Sequence, residues 1–141
     1  MKILVLGDVM GLAGRNALKK NLSKIIEKNE INFLVINGEN AAEDGKGITK
    51  EICDELFYLG VDVITSGNHI WDKNEITNFI ETENRLLRPA NLAEGSPGKG
   101  YGIYFSKDKK YKIGVINLMG NVFMRKTEDV FKTAENIFNK I

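Results

Sequence analysis

The sequence is poor in the residues that build cross-links and metal clusters: its 141 residues include one cysteine, Cys53, and one histidine, His69. A lone cysteine excludes an internal disulfide and any cluster of thiolate ligands. A lone histidine excludes a site built from several imidazoles of this chain. An excess of one charge is lacking too. The 20 Lys and Arg against 19 Asp and Glu leave a net charge of +1, too weak a field to gather a large nucleic acid or an anionic membrane surface. No apolar run approaches the roughly 20 residues of a membrane-spanning helix. The opening Met-Lys-Ile-Leu-Val-Leu run meets Gly7-Asp8 too soon for a secretory leader. A cytoplasmic protein is therefore expected. What remains is an ordinary globular composition, 43% hydrophobic and 28% charged, at a length that suits one domain with one core.

The apolar residues alternate between two periods. Ile3 to Leu6 is a short continuous run that reads as a strand buried on both faces. Leu18, Leu22, Ile25 and Ile26 then recur at helical spacing within Arg15–Lys28. Ile31 to Ile36 reads as a second buried strand, ending at Asn37-Gly38. Thr49 can cap a helix that carries Ile52, Leu56 and Leu59 inward and stops at Gly60. Val61 to Thr65 reads as a third strand. Asp72 and Glu75 have capping-box spacing ahead of a helix holding Ile76, Phe79 and Ile80. Strand, helix, strand, helix, strand predicts an α/β fold with right-handed crossovers and a parallel βαβαβ sheet. Arg88-Pro89-Ala90-Asn91 closes a further short strand-like run. Tyr101–Phe105 and Lys112–Leu118, joined by a charged segment, read as a hairpin added to that sheet. Val130, Ala134, Ile137, Phe138 and Ile141 form an apolar helical face on which the chain stops, as a truncated helix would.

In a parallel sheet, ligands bind beyond the carboxyl ends of the strands. Those ends carry Gly7-Asp8, Asn37-Gly38-Glu39-Asn40 and Ser66-Gly67-Asn68-His69. Asp8 to Glu39 is 31 positions and Glu39 to His69 is 30, one βαβ unit each time, so the three loops share one edge. Two carboxylates held close repel unless a cation lies between them. Asp8 and Glu39 offer the charge, Asn40 and Asn68 offer neutral hard oxygens, and His69 is a ligand or a proton carrier. The glycine before each polar residue is expected to let the backbone turn sharply there. Taken singly, each residue is more readily a turn former or a solvated side chain. Their joint placement after consecutive strands favours one shared site. Lys46, between Gly45 and Gly47, and Asn91 are weaker candidates for touching substrate. Cys53 reads as inert packing and Trp71 as a wall of the pocket or of the core.

Three stretches make a resemblance recognisable: Leu6-Gly7-Asp8-Val9, Ile36-Asn37-Gly38-Glu39-Asn40-Ala41-Ala42 and Gly67-Asn68-His69-Ile70-Trp71-Asp72-Lys73. Arg88-Pro89-Ala90-Asn91, Gly98-Lys99-Gly100 and Val115-Ile116-Asn117-Leu118 extend it over essentially the whole chain. The sequence resembles the YmdB-like family of calcineurin-type metallophosphoesterases, 2',3'-cyclic-nucleotide 2'-phosphodiesterases. That resemblance implies two divalent metal ions, iron or manganese with magnesium as the alternative. It implies Asp8 and Asn40 on the first metal, Glu39 bridging both, Asn68 on the second, and His69 donating a proton to the leaving oxygen. The substrate it implies is a small nucleotide phosphodiester.

Members of that family are nearly twice as long, and their second half adds histidine ligands in His-Ala-Glu and Gly-Thr-His-x-His stretches that this chain lacks. Residues 1–141 are thus expected to be the amino-terminal portion of a single metallophosphoesterase domain, with an incomplete metal shell. Exposed apolar surface is expected to drive it into a homo-oligomer or onto a missing carboxyl-terminal half. The competing readings are an inactive half-domain that only associates, and a metal-free nucleotide-binding α/β module.

Overall fold

A computed structural model describing residues 1–141 contains six strands and three α-helices, alternating as far as the third strand. Strand β1 (Ile3–Asp8) leads to α1 (Gly11–Asn29), β2 (Phe33–Asn37), α2 (Lys50–Tyr58) and β3 (Val63–Thr65). Two 3-10 turns, Asn68–Trp71 and Asn74–Asn78, precede the short β4 (Leu86–Leu87). Strands β5 (Tyr101–Phe105) and β6 (Lys112–Ile116) and helix α3 (Val130–Phe138) complete the chain. The first four strands form one parallel sheet in the order β1-β2-β3-β4. No helix is long and apolar enough to cross a membrane.

Side chains alternate across a strand, so β2 sends Leu34 and Ile36 to one face and Phe33 and Val35 to the other. The first face receives α1 and α2 and holds the main core, including Leu22, Ile52, Leu56, Ile64 and Leu86. Thr49 caps α2 as its spacing predicts, its hydroxyl accepting from the Ile52 amide at 3.2 Å. Gly60 follows with φ +95°, a left-handed position that suits glycine. Cys53 is fully buried and unpaired. On α1, Arg15 is buried rather than solvated: its guanidinium donates to Glu55 Oε2 at 3.0 Å, and Lys19 Nζ lies 3.0 Å from the same oxygen. Ile25, expected on the inward face, is exposed.

Three expectations need correction. The added hairpin β5-β6 is present but does not extend the parallel sheet; it forms a two-stranded sheet of its own, tied to the first by an isolated bridge from Leu87 to Lys99 and by the Asn117 side chain, which donates to the Ser66 and Leu87 carbonyls. Ile113, Tyr104 and Val115 are the reason, because they bury against Phe33, Val35, Val63 and Leu87 across the second face. Edge addition would leave them in water. The hairpin does not reach β1, which is therefore not buried on both faces: Ile3 and Val5 are 42% and 69% exposed. The α-helix expected after Asp72 is replaced by 3-10 turns. Both capping carboxylates are engaged elsewhere, Asp72 by His69 and Glu75 by the Lys50 amide at 2.7 Å, where it faces the start of α2.

Candidate active site at the carboxyl edge of the parallel sheet

Parallel pairing sets the site. Asp8 is the register partner of Asn37, and Asn37 of Thr65, so the loops leaving β1, β2 and β3 emerge side by side. The β1–β2 ladder slips between Leu6 and Asp8, a bulge that falls at Gly7. Beyond it the Val9 amide still bonds the Asn37 carbonyl at 3.0 Å. The Asn37 side chain accepts the Glu39 amide at 2.9 Å, shaping the turn that presents Glu39 and Asn40.

Side chains then knit the loops in pairs. The Asn40 amide nitrogen donates to Asp8 Oδ2 at 2.8 Å, bridging the β1 and β2 loops. Glu39 Oε1 accepts the His69 backbone amide at 3.3 Å, bridging the β2 and β3 loops. Glycine at position 67 makes the second approach possible by lack of volume. A Cβ there would lie 2.0 Å from Glu39 Oε2. None of Gly7, Gly38 and Gly67 has a positive φ. The chain does turn at two of them, the Gly38 and Gly67 carbonyls accepting the Ala41 and Ile70 amides at 3.2 Å, while Gly7 falls at a bulge; what Gly38 and Gly67 supply is room for close packing rather than a left-handed backbone. A Cβ at Gly38 would stand 2.8 Å from Ile64.

His69 Nδ1 lies 2.7 Å from Asp72 Oδ2. An ionised carboxylate only accepts, so the imidazole donates from Nδ1 and leaves Nε2 facing away from Asp72. Asp72 was open to misreading in the sequence, because its three-residue offset from His69 coincides with its capping-box offset from Glu75. The His-x-x-Asp spacing within a turn was the available signal. Asn68 is exposed beside His69, and both line a cavity of about 540 Å³ that also contains Trp71. Neither Asp8 nor Glu39 lines that cavity; with Asn40 they form a carboxylate-amide shelf beside it, joined to it by the Glu39 bond to the His69 amide.

The oxygen donors along this edge, the Asp8 and Glu39 carboxylates and the Asn40 carboxamide on the shelf with the Asn68 carboxamide at the cleft, match the preference of hard divalent cations. No three His, Cys, Asp or Glu side chains converge as a metal cluster within the chain. The residues fit part of a coordination shell. Asn91 is fully buried, its amide nitrogen bonding the Met119 carbonyl at 2.7 Å and its oxygen taking the Met119 amide at 2.9 Å. That leaves no polar atom for substrate and corrects the expectation placed on Asn91. Lys46 is an exposed loop lysine between Gly45 and Gly47, at positive φ values of 74° and 78°.

The YmdB-like protein family matches residues 4–141. The chain belongs to the YmdB-like family. Among YmdB-like relatives, the chain is 45% identical over 137 residues to a Bacillus subtilis protein named 2',3'-cyclic-nucleotide 2'-phosphodiesterase, covering 97% of this chain and 51% of the relative. It is 33% identical over 144 residues to a Mycoplasma pneumoniae putative phosphatase/phosphodiesterase, covering 99% of this chain and 51% of that protein. A crystal structure of a hypothetical protein from Thermus thermophilus superposes with a TM-score of 0.91 at 32% identity, covering all of this chain and 54% of the other. A Mycoplasma pneumoniae structure described as a novel phosphatase superposes at 0.89 with 33% identity, covering 99% and 51%. The chain thus spans about half the length of the curated relatives it matches.

Proposed function

We propose that this chain supplies the amino-terminal half of a two-metal phosphodiesterase site that hydrolyses small nucleotide phosphodiesters, 2',3'-cyclic nucleotides among them. The observation that carries the reading is the pairwise knitting of Asp8 to Asn40 and of Glu39 to the His69 amide at one sheet edge. Two carboxylates are brought to adjacent loops with amide oxygens beside them, a grouping that gains most from a cation.

In this reading Asp8, Glu39, Asn40 and Asn68 would hold this chain's share of two divalent ions. Manganese and iron suit the role, with magnesium as the alternative. When bound, the ions supply Lewis acidity toward the phosphoryl oxygens and a nucleophile at neutral pH. The remaining work belongs to the side chains. As the bond from phosphorus to the leaving oxygen breaks, His69 in its imidazolium form gives its Nε2 proton to that oxygen and keeps the one on Nδ1. Asp72 receives Nδ1–H and holds the ring in the orientation that aims Nε2 at the substrate.

The test combines this chain with the carboxyl-terminal half of a YmdB-like relative. Manganese-stimulated cleavage of bis(p-nitrophenyl) phosphate or a 2',3'-cyclic mononucleotide is expected, with loss in Glu39→Gln and His69→Ala. Absence of turnover in the assembled pair would sink the reading.

A second reading has its own support. The absence of a three-residue metal cluster and the exposure of Ile3, Val5, Phe131 and Phe138 favour a half-domain whose isolated form only associates, with itself or with a complementing half. Light scattering after size exclusion, with calorimetry of manganese binding, separates the two.

A further inference from the structure

The cleft beside His69 has a second wall. Met119 and the segment from Phe123 to Lys126 form it, so that His69, Trp71, Met119, Phe123, Arg125 and Lys126 all line the same volume of about 540 Å³. This wall is built on a fixed base. Buried Asn91 bonds the loop at Met119 through both side-chain polar atoms and bonds Thr127 Oγ1 at 2.9 Å, while its carbonyl accepts the Glu128 amide at 2.9 Å. One side chain and its backbone therefore tie down both ends of the loop. At its tip, Phe123 holds a left-handed backbone, φ 59°, with its ring fully exposed. A non-glycine residue in that conformation costs free energy, and an aromatic ring left in water adds to the cost.

Chemistry places a ligand there. A proton donor must stand next to the oxygen that leaves, so the group attached to that oxygen lies on the His69 side of the phosphorus. The cleft is the space on that side, and its volume is within the usual range for a small-molecule pocket. Its lining pairs apolar and aromatic surface with two cations, Arg125 and Lys126, against one carboxylate, Asp72, which the His69 ring already engages, a balance that suits an anionic ligand with a flat apolar ring system.

We propose that this cleft is the leaving-group subsite, and that it binds the nucleoside part of the substrate with the base against Phe123 and Trp71. The proposal rests on the proton-donor role given to His69 above. It makes the 119–126 loop, rather than the metal shelf, the element that distinguishes a nucleotide from a simpler phosphate ester.

Trp71 is the only tryptophan and lies in the cleft, so its fluorescence reports binding without turnover or metal. The chain is titrated in the presence of a chelator with adenosine 3'-monophosphate, ribose 5-phosphate and inorganic phosphate. Saturable quenching by adenosine 3'-monophosphate is expected, with neither base-free ligand reproducing it. Phe123→Ala should weaken that binding by about tenfold or more, the loss of one stacked base. Arg125→Ala with Lys126→Ala should weaken it and make the remainder less salt-dependent. Tyr58→Ala, which removes an equally exposed ring on α2, should leave it unchanged. No saturable quenching, equal quenching by ribose 5-phosphate, or wild-type affinity in Phe123→Ala would overturn the proposal. Because the titration contains no metal, a wrong metal site shows only in the hydrolysis assay, and a wrong subsite shows only here.

Discussion

The two faces of the parallel sheet are finished to different degrees. The helix face packs a 17-residue buried cluster beneath α1 and α2, and it runs the full width of the sheet. The hairpin face buries five residues, and its cover stops before β1. Residues of like type are therefore treated differently according to their face. Leu4 and Leu6 of β1 pack against the helix-side cluster, whereas Ile3 and Val5, on the same strand, remain in water. The contrast separates what this chain stabilises by itself from what it presents. The helix face anchors the loops that carry Asp8, Glu39 and His69. The other face offers apolar surface of the kind that invites a partner.

The largest effect expected from that contrast is on stability. Ile36→Ala empties a fully buried position of the helix-side core and should cost about 2–5 kcal/mol in urea unfolding. Val5→Ala, one strand away on the open face, should cost no more than about 0.5 kcal/mol. Equal losses would mean that β1 is covered in solution, and a concentration-dependent loss in Val5→Ala would name self-association as the cover.

Next comes a substitution at the site edge itself. Gly67→Ala places a Cβ where Glu39 Oε2 now lies, so the Glu39 carboxylate must move or the loop must open. A stability loss of about 1–3 kcal/mol is expected, as for overpacking, together with at least a tenfold weakening of manganese binding by calorimetry. Retained manganese affinity would show that Glu39 is not a ligand. A third comparison uses the helix face as a shield. Cys53 is buried on α2, and burial pushes its thiol pKa up. Ellman's reagent should label it only through unfolding, at a rate that Ile36→Ala raises and Val5→Ala does not.

How much of this was legible in the sequence follows from the range of the interactions involved. The three β-strands and their polar carboxyl-end loops were readable because continuous apolar runs and the recurring βα period are local. The Thr49 cap and Gly60 were readable for the same reason. The common edge shared by Asp8, Glu39 and His69 was legible because right-handed crossovers leave little topological choice. What failed was nonlocal. Whether Ile3 and Val5 are covered depends on how far β6 extends across the sheet, which no window around β1 contains. The carboxylates of Asp72 and Glu75 fit a capping box locally but were taken by His69 and Lys50. Asn91 reads as a polar loop residue near the site, and only the return of the chain at Met119 and Thr127 makes it a buried clamp. Those same long-range contacts build the cleft, so its Phe123 wall was not visible in the sequence.

The smallest expected effect lies at the opposite end of the sheet from the site. Asp62 enters β3 with its carboxylate accepting the Leu34 amide at 2.7 Å, and partial burial raises its pKa above the usual carboxylate value, with the Leu34 hydrogen bond opposing that shift. The folded chain therefore holds this proton more tightly than the unfolded chain does. The stability it contributes is fully present below the ordinary Asp pKa of about 3.9 and is lost as pH rises through the folded value. Asp62→Asn keeps an oxygen acceptor for Leu34 and removes the charge. Urea midpoints of the variant and the wild type should coincide at pH 3.5 and separate toward pH 7, with the variant the more stable. Solvent screening at this half-exposed position limits the difference to well under about 1 kcal/mol. A variant less stable at pH 7 would mean that the charged hydrogen bond to Leu34 outweighs the burial of the carboxylate, and that the amino-terminal edge of the sheet is held by charge as the carboxyl edge is.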